Sequence, residues 1–425
     1  MRTLAALLLS VSLSAAVLPT DWKTARDQGV TEIDRQNYAA AEAPLRASLS
    51  LALTRQEAAL SSSDLGVALH QLGREAEAKG YLEKAEQAWL ELPNQHRRLG
   101  RTAEALAVVL RNLGEYRASE LLVRRTLADQ EVAPECRAEL LNVLGDLLRE
   151  EGRSSEARRT FDAAAAAAAD NSGAPWRALA DAKIGLADLE RDARSWDASL
   201  ADWQSVVDLA RRNQSTLVEA VGLRGLGQTW LERGSPAQAE PLLRRSLSLF
   251  ENSRDSRGHQ SATTLGTLAQ LYIGEGKYSM AEDALMKAVE MDERTLGENH
   301  PQVGALVQMQ ADVAARQHDF DRARRYMDRA MTIMAARFGD QSAVVGSVFV
   351  GKARIEQSAG NLAPALAYYQ RALELLPAGG PDLQSFTATV MQNCSDVLKQ
   401  LHRKGEARAL SAQAKTLSSG YRTRQ

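Results

Sequence analysis

The sequence predicts an all-α solenoid of about ten stacked helix-turn-helix units, and three observations carry that prediction. The chain is 425 residues long, more than one compact core holds, so it needs several domains or a repeat array. Its hydrophobic residues make up 44% but its aromatics only 5%. The apolar content is therefore mostly Ala, Leu and Val, and Ala and Leu favour helix over strand. Finally, small residues recur at fixed spacing. One series is Ala41, Ala78, Ser119, Ala157, Ser199, Ala239, Ala281, Ala323, Ala365 and Ala407, with a period of 42 residues from Ala239 onward. Twelve residues earlier in each copy stand Gly29, Gly66, Ala107, Gly145, Ala187, Gly227, Ala269, Ala311, Ala353 and Ser395.

Within a unit each position has a physical task. The earlier small residue lets the second helix cross closely over the first, and the later one, the anchor, does the same from the other side. Seven residues after the anchor the side chain is again limited (Ser48, Ala85, Thr126, Ala164, Val206, Ser246, Ala288, Ala330, Ala372, Ala414), which opens a slot for the next unit. An aromatic often lies three before the anchor, as in Tyr38, Tyr116, Trp196, Tyr278 and Phe320. A turn glycine lies five before it at Gly73, Gly114, Gly152, Gly234, Gly276 and Gly360. Leu268 to Ala288 is the least eroded copy, with Leu268, Tyr272, Tyr278 and Leu285 filling the space that the small residues leave. One such hairpin cannot bury its own apolar face, so each must stack on its neighbours.

In chain order, residues 1–16 read as an export signal. Arg2 supplies a positive start, Leu4 to Ala16 is a short apolar run, and Ser14 and Ala16 suit a cut after Ala16. The run is shorter than the roughly twenty residues of a membrane span, and no other stretch is long enough to cross a bilayer. A secreted or periplasmic location and a bacterial source are expected, with no stable membrane span after cleavage. The repeats then occupy residues 21–417 without a second domain. Their connectors, such as Asn213–Ser215, Gly297–Pro301 and Pro377–Pro381, are short and carry capping residues. Seven alanines follow Asp162 on the second helix of the fourth unit. The last unit crowds Lys399, Arg403, Lys404, Arg408 and Lys415 around His402. A wettable end cap explains this, and a basic docking surface is the alternative. Residues 418–425 lose the pattern and read as a disordered tail.

These residues resemble the tetratricopeptide repeat family over nearly all of the chain, and the 42-residue period resembles the long-helix form of kinesin light chains. Leu296 to Ala330 carries the likeness furthest, with its LG-x-x-HP-x-V connector. The resemblance implies a right-handed superhelix whose first helices line a concave, partner-binding face. It also implies a ladder of asparagines on that face, of which this chain keeps Asn142.

Catalytic and metal constellations are missing from the sequence. The six histidines show no H-E-x-x-H spacing, and no phosphate loop or G-x-S-x-G occurs. The two cysteines, Cys136 and Cys394, fall in distant units and are expected as lone buried thiols. A net charge of −2 gives no pull toward nucleic acid. The expected function is therefore a non-enzymatic, cofactor-free exported scaffold or adaptor that binds a protein or peptide. Positions beside the packing residues of the first helices are its candidate contacts: Asn142, Asp146, Asp188, Arg224, Gln228, Gln270, Gln308, Asp312 and Arg354. A ligand sensor that closes around a small molecule or peptide is the alternative, with Gly222, Gly225 and Gly227 as its source of flexibility. An enzyme using Asp146 and Asp188 as a pair is the remote one.

Overall fold

Small residues at helical spacing do produce helical hairpins. The computed structural model describes residues 21–35, 37–129, 131–169, 176–252, 258–376 and 381–422, so the expected export signal lies outside the described residues. Twenty α-helices and no strand occur among them, and they form ten hairpins. The first four pairs are α1 (Trp22–Asp34) with α2 (Tyr38–Leu51), α3 (Arg55–Gln71) with α4 (Glu75–Glu91), α5 (His96–Asn112) with α6 (Tyr116–Ala128), and α7 (Pro134–Glu150) with α8 (Ser154–Ala169). The next three are α9 (Trp176–Asp192) with α10 (Trp196–Arg212), α11 (Thr216–Glu232) with α12 (Pro236–Glu251), and α13 (Gly258–Gly274) with α14 (Tyr278–Leu296). The last three are α15 (Pro301–Arg316) with α16 (Phe320–Phe338), α17 (Ala343–Ser358) with α18 (Leu362–Leu375), and α19 (Pro381–Gln400) with α20 (Lys404–Arg422). The last helix thus continues past Leu417, where the sequence pattern stops. Residues 423–425 lie outside the described residues.

Every anchor is buried, as are the residues twelve before and seven after it. Where a serine replaces alanine or glycine at either crossing position, it bonds across the hairpin. Ser119 donates to the Ala107 carbonyl at 2.7 Å, Ser199 to Ala187 at 2.8 Å and Ser395 to Ala407 at 2.8 Å. Each hydroxyl is thereby satisfied without water, which keeps a buried polar group from costing stability. Cys136 and Cys394 are free and buried, as expected.

Four residues after the anchor, in every unit but the last, an apolar side chain is wedged between the units. Its partner is often a glycine two residues before the next unit's small residue. A methyl placed on Gly185 would lie 2.2 Å from Phe161, one on Gly225 2.3 Å from Trp203, and one on Gly351 2.6 Å from Met327. Gly222 and Gly227 are likewise seated against Val207 and Leu243. The glycine cluster of α11 is therefore a place of close packing, which corrects its reading as a source of flexibility.

The hairpin turns need a left-handed residue. Gly73, Gly114, Gly152, Gly234, Gly276 and Gly360 supply it with φ between 72° and 86°. Arg194, His318 and His402 adopt the same conformation at φ 57°, 63° and 61° without being glycine.

Most neighbouring first helices touch directly, closest in α5 with α7 and α7 with α9, and successive second helices make no contact of that extent among the described residues. The stack therefore curves with its first helices inside. The curvature is tight enough for α14 to return against α2. There the His300 ring lies on Gly73, with its Cδ2 2.8 Å from where a Cβ would stand. His300 also caps α15, its Nδ1 accepting from the Gln302 amide at 3.2 Å.

Candidate functional site on the inner face

A first helix shows three columns to the inside of the curve: the residue just after the small position, and those three and six before it. In the third to fifth units these columns hold acids. Glu104 on α5, Glu139, Asn142 and Asp146 on α7, and Asp181 on α9 line one cavity of about 230 Å³. Phe161, Ile184 and Gly185 complete its wall. A second cavity of about 240 Å³ shares Asp181 and Ile184, and adds Leu217, Val218 and Val221 of α11, with Arg177 and Gln260 at its polar side.

The electrostatics follow from this crowding. Burial, with the facing carboxylates of Glu139 and Asp181 and a hydrogen bond to Glu139, pushes the Glu104 carboxyl well above the usual range. Asp181 stands at the solvent-open mouth. Its enclosing walls, with Glu139 and Asp146 facing it, hold it at about 6 against the pull of Arg177. Asp146 accepts from Arg111 at 3.3 Å. Asn142 is 8% exposed and donates through Nδ2 to the Ala178 carbonyl at 3.0 Å, which ties α7 to α9. Its Oδ1 is buried with no hydrogen-bond partner.

Of the residues expected from the sequence, the structure brings Asn142 and Asp146 together in this cavity. The others are spread along the face. Asp188 is half-buried and paired with Arg191 at 2.9 Å, and burial raises its carboxyl. Each of the suspected catalytic acids thus has its own arginine, Arg111 for Asp146 and Arg191 for Asp188. Arg224 donates to Gln260 at 2.7 Å and lies over Phe250, and burial pushes its guanidinium down to about 10. Gln228 donates to Glu232 at 3.0 Å within its own helix. Asp312 accepts from Arg316 at 2.8 Å and Arg354 at 3.4 Å. Gln270 is exposed and Gln308 half-exposed. In the last unit Lys399 pairs with Asp396 at 2.7 Å and Arg403 with Glu406 at 2.6 Å, which fits a solvated cap.

Sequence reasoning missed Glu139 and Asp181. Both lie six residues before a small position, one helical turn behind the column that holds Glu104 and Asn142. That third column was the available signal. It also missed a cluster from two neighbouring elements, in which ligand atoms of His96, Asp129 and Glu131 lie within 4.8 Å of one another. The two acids are its occupants already, at 3.4 Å and 3.0 Å from the two ring nitrogens. Among the described residues no helix is long and apolar enough to cross a membrane.

A tetratricopeptide repeat model matches residues 218–294, 260–336 and 302–378, and a second such model matches 104–172. Together they span more than half of the chain. Comparison with curated proteins gives no match. Among solved structures, a Rap protein complexed with Competence and Sporulation Factor superposes with a TM-score of 0.57 at 10% identity, over 87% of this chain and 100% of that one. BtubC (BKLC) from P. vanneervenii gives 0.47 at 21% identity, over 53% of this chain and 91% of its own. A tetratricopeptide repeat protein from Parabacteroides merdae gives 0.43 at 15%, over 69% and 98%. At 10% identity the Rap likeness concerns the fold alone.

Proposed function

This chain belongs to the tetratricopeptide repeat family, and from that membership we propose that it is an exported scaffold that binds a protein or peptide segment along its concave inner face. The observation that carries the reading is the pair of adjoining cavities on that face, lined by side chains of five successive first helices, α5, α7, α9, α11 and α13. A preformed groove of this kind gains affinity from many weak contacts without the cost of ordering a loop. The acidic lining and the net charge of −2 favour a polypeptide over nucleic acid. Membership of a family of generally non-enzymatic scaffolds supports reading the chain as a binding protein.

A photo-crosslinking residue placed at Asp188, Gln270 or Gln308 should capture a partner from the exported fraction, whereas one at the outward-facing Arg245 or Lys287 should not. Capture only from the outer positions would sink the concave-face reading. Export is tested separately by N-terminal sequencing, which should begin at Val17. A mature protein that retains Met1 would sink the cleavage.

A second reading, a sensor that closes around a short ligand, is favoured by the contact of His300 with Gly73. The crystallised Rap protein carries the Competence and Sporulation Factor, which is consistent with such a use of this fold.

A further inference from the structure

The acidic cavity has an unmet need that its own residues do not fill. Its lining holds four carboxyl groups and no lysine or arginine. Beside them stands Asn142, more than nine-tenths buried, with Nδ2 committed to the Ala178 carbonyl and Oδ1 without a donor. An orphaned buried acceptor costs free energy unless a ligand or water supplies the hydrogen bond. An anion would be repelled by the acids, and an apolar group would leave the amide oxygen without a donor. A hard metal ion is a poor fit as well. It requires three oxygens close to one point, and among the described residues only His96, Asp129 and Glu131 are gathered that closely. A guanidinium or ammonium carries several spread donors, so it can reach separated carboxylates and the amide oxygen together. The second cavity shares Asp181 and Ile184 with the first, and opposite its polar side of Arg177 and Gln260 it is lined by the aliphatic Leu217, Val218 and Val221.

We propose that the two cavities are one subsite for a basic peptide segment, with a lysine or arginine head in the acidic cavity and an adjoining aliphatic side chain in the apolar one. The assignment rests on the concave-face reading and gives it a chemical class. A free polyamine shares the charge, but its methylene spacers are flanked by ammonium groups and it has no branched aliphatic side chain to place against Val218 and Val221.

The probe is a blocked pentapeptide with a central arginine flanked by leucines, titrated calorimetrically into the mature protein. It is compared with the same peptide carrying citrulline, which keeps the shape and removes the charge, and with spermidine. The arginine peptide should bind at least tenfold more tightly than the citrulline peptide and more tightly than spermidine. Asp181 is exposed, so Asp181→Lys and the milder Asp181→Asn leave the core intact. The lysine variant should weaken the arginine peptide at least tenfold and the asparagine variant less, while Lys287→Ala on the outward face leaves it unchanged. Cation binding favours ionised carboxylates, so binding should release protons and tighten from pH 6 to pH 8. Equal affinity for arginine and citrulline peptides overturns the proposal, as does an unchanged affinity in Asp181→Lys, tighter spermidine, or no peptide binding at all. Crosslinks from Gln270 and Gln308 without an arginine preference would remove this subsite and leave the concave-face reading standing. Absence of both removes both.

Discussion

Gly225 lacks a side chain because Trp203 occupies the space one would need. The same exchange of bulk for backbone recurs at Phe161 with Gly185 and Met327 with Gly351. Gly225→Ala forces the indole off its position and should cost about 1–3 kcal/mol, the usual range for overpacking a filled core. The check is denaturant unfolding of the single variants and the Gly225→Ala/Trp203→Leu double. The double should lose less than the sum of the singles, since the residues share one volume. Additive losses would mean that the contact is not what excludes a methyl. At the same scale, Glu104 titrates above its unfolded value because burial and neighbouring acids resist its ionisation. Its protonated form favours the fold. That contribution is complete below the unfolded carboxylate range and is lost as pH rises through the raised folded value. Glu104→Gln should therefore raise the melting temperature at pH 8 and barely change it at pH 4. An equal effect at both would refute the raised carboxyl.

At the scale of the element, the hairpin turn asks for one residue with positive φ. Six of the units supply glycine, whereas Arg194, His318 and His402 hold the same conformation with a Cβ. A left-handed L-residue costs roughly 1–2 kcal/mol. Arg194→Gly should thus stabilise the protein by about 0.5–1 kcal/mol, after the extra freedom that glycine gives the unfolded chain. His318→Gly should gain less, because the ring packs edge-on against Phe320 with centroids 5.9 Å apart. Thermal melts of the two variants, ranked against each other, test this. Greater gain in His318→Gly would contradict it.

For the whole molecule, the informative contact is the one between turns of the superhelix. His300 is pressed on Gly73, with His259, Arg337, Glu75 and His70 facing it. Burial, aided by His259 and Arg337, lowers its pKa to about 4. A histidine held neutral in the fold contributes stability above its unfolded pKa of 6.5, and this is lost as pH falls through the folded value. Small-angle scattering should show the array opening between pH 6.5 and pH 4. His300→Asn keeps a capping acceptor for α15 and removes the titration. That variant should be open at neutral pH and insensitive over the same range. A radius independent of pH in the natural protein would show that the contact does not hold the turns together.

Helix order, the ten hairpins and the thirty buried crossing positions were legible because each depends on residues close in sequence. A small residue at position 281 means the same thing wherever the superhelix goes. Asn142 and Asp146 were readable for a related reason, since a column on one helix face follows from the 3.6-residue period. The rest required the stack. Glu104, Glu139 and Asp181 become one acidic cavity only when three helices from three units curve toward each other. Their mutual repulsion exists only at that distance. Nothing local distinguishes Gly225 as a packing site from a hinge, because Trp203 lies on a different helix. Nor does any local feature join His300 to Gly73, since that contact is set by the small rotation between units added up over a full turn. Periodicity determined the unit, and the accumulated curvature decided which units meet and where charge gathers.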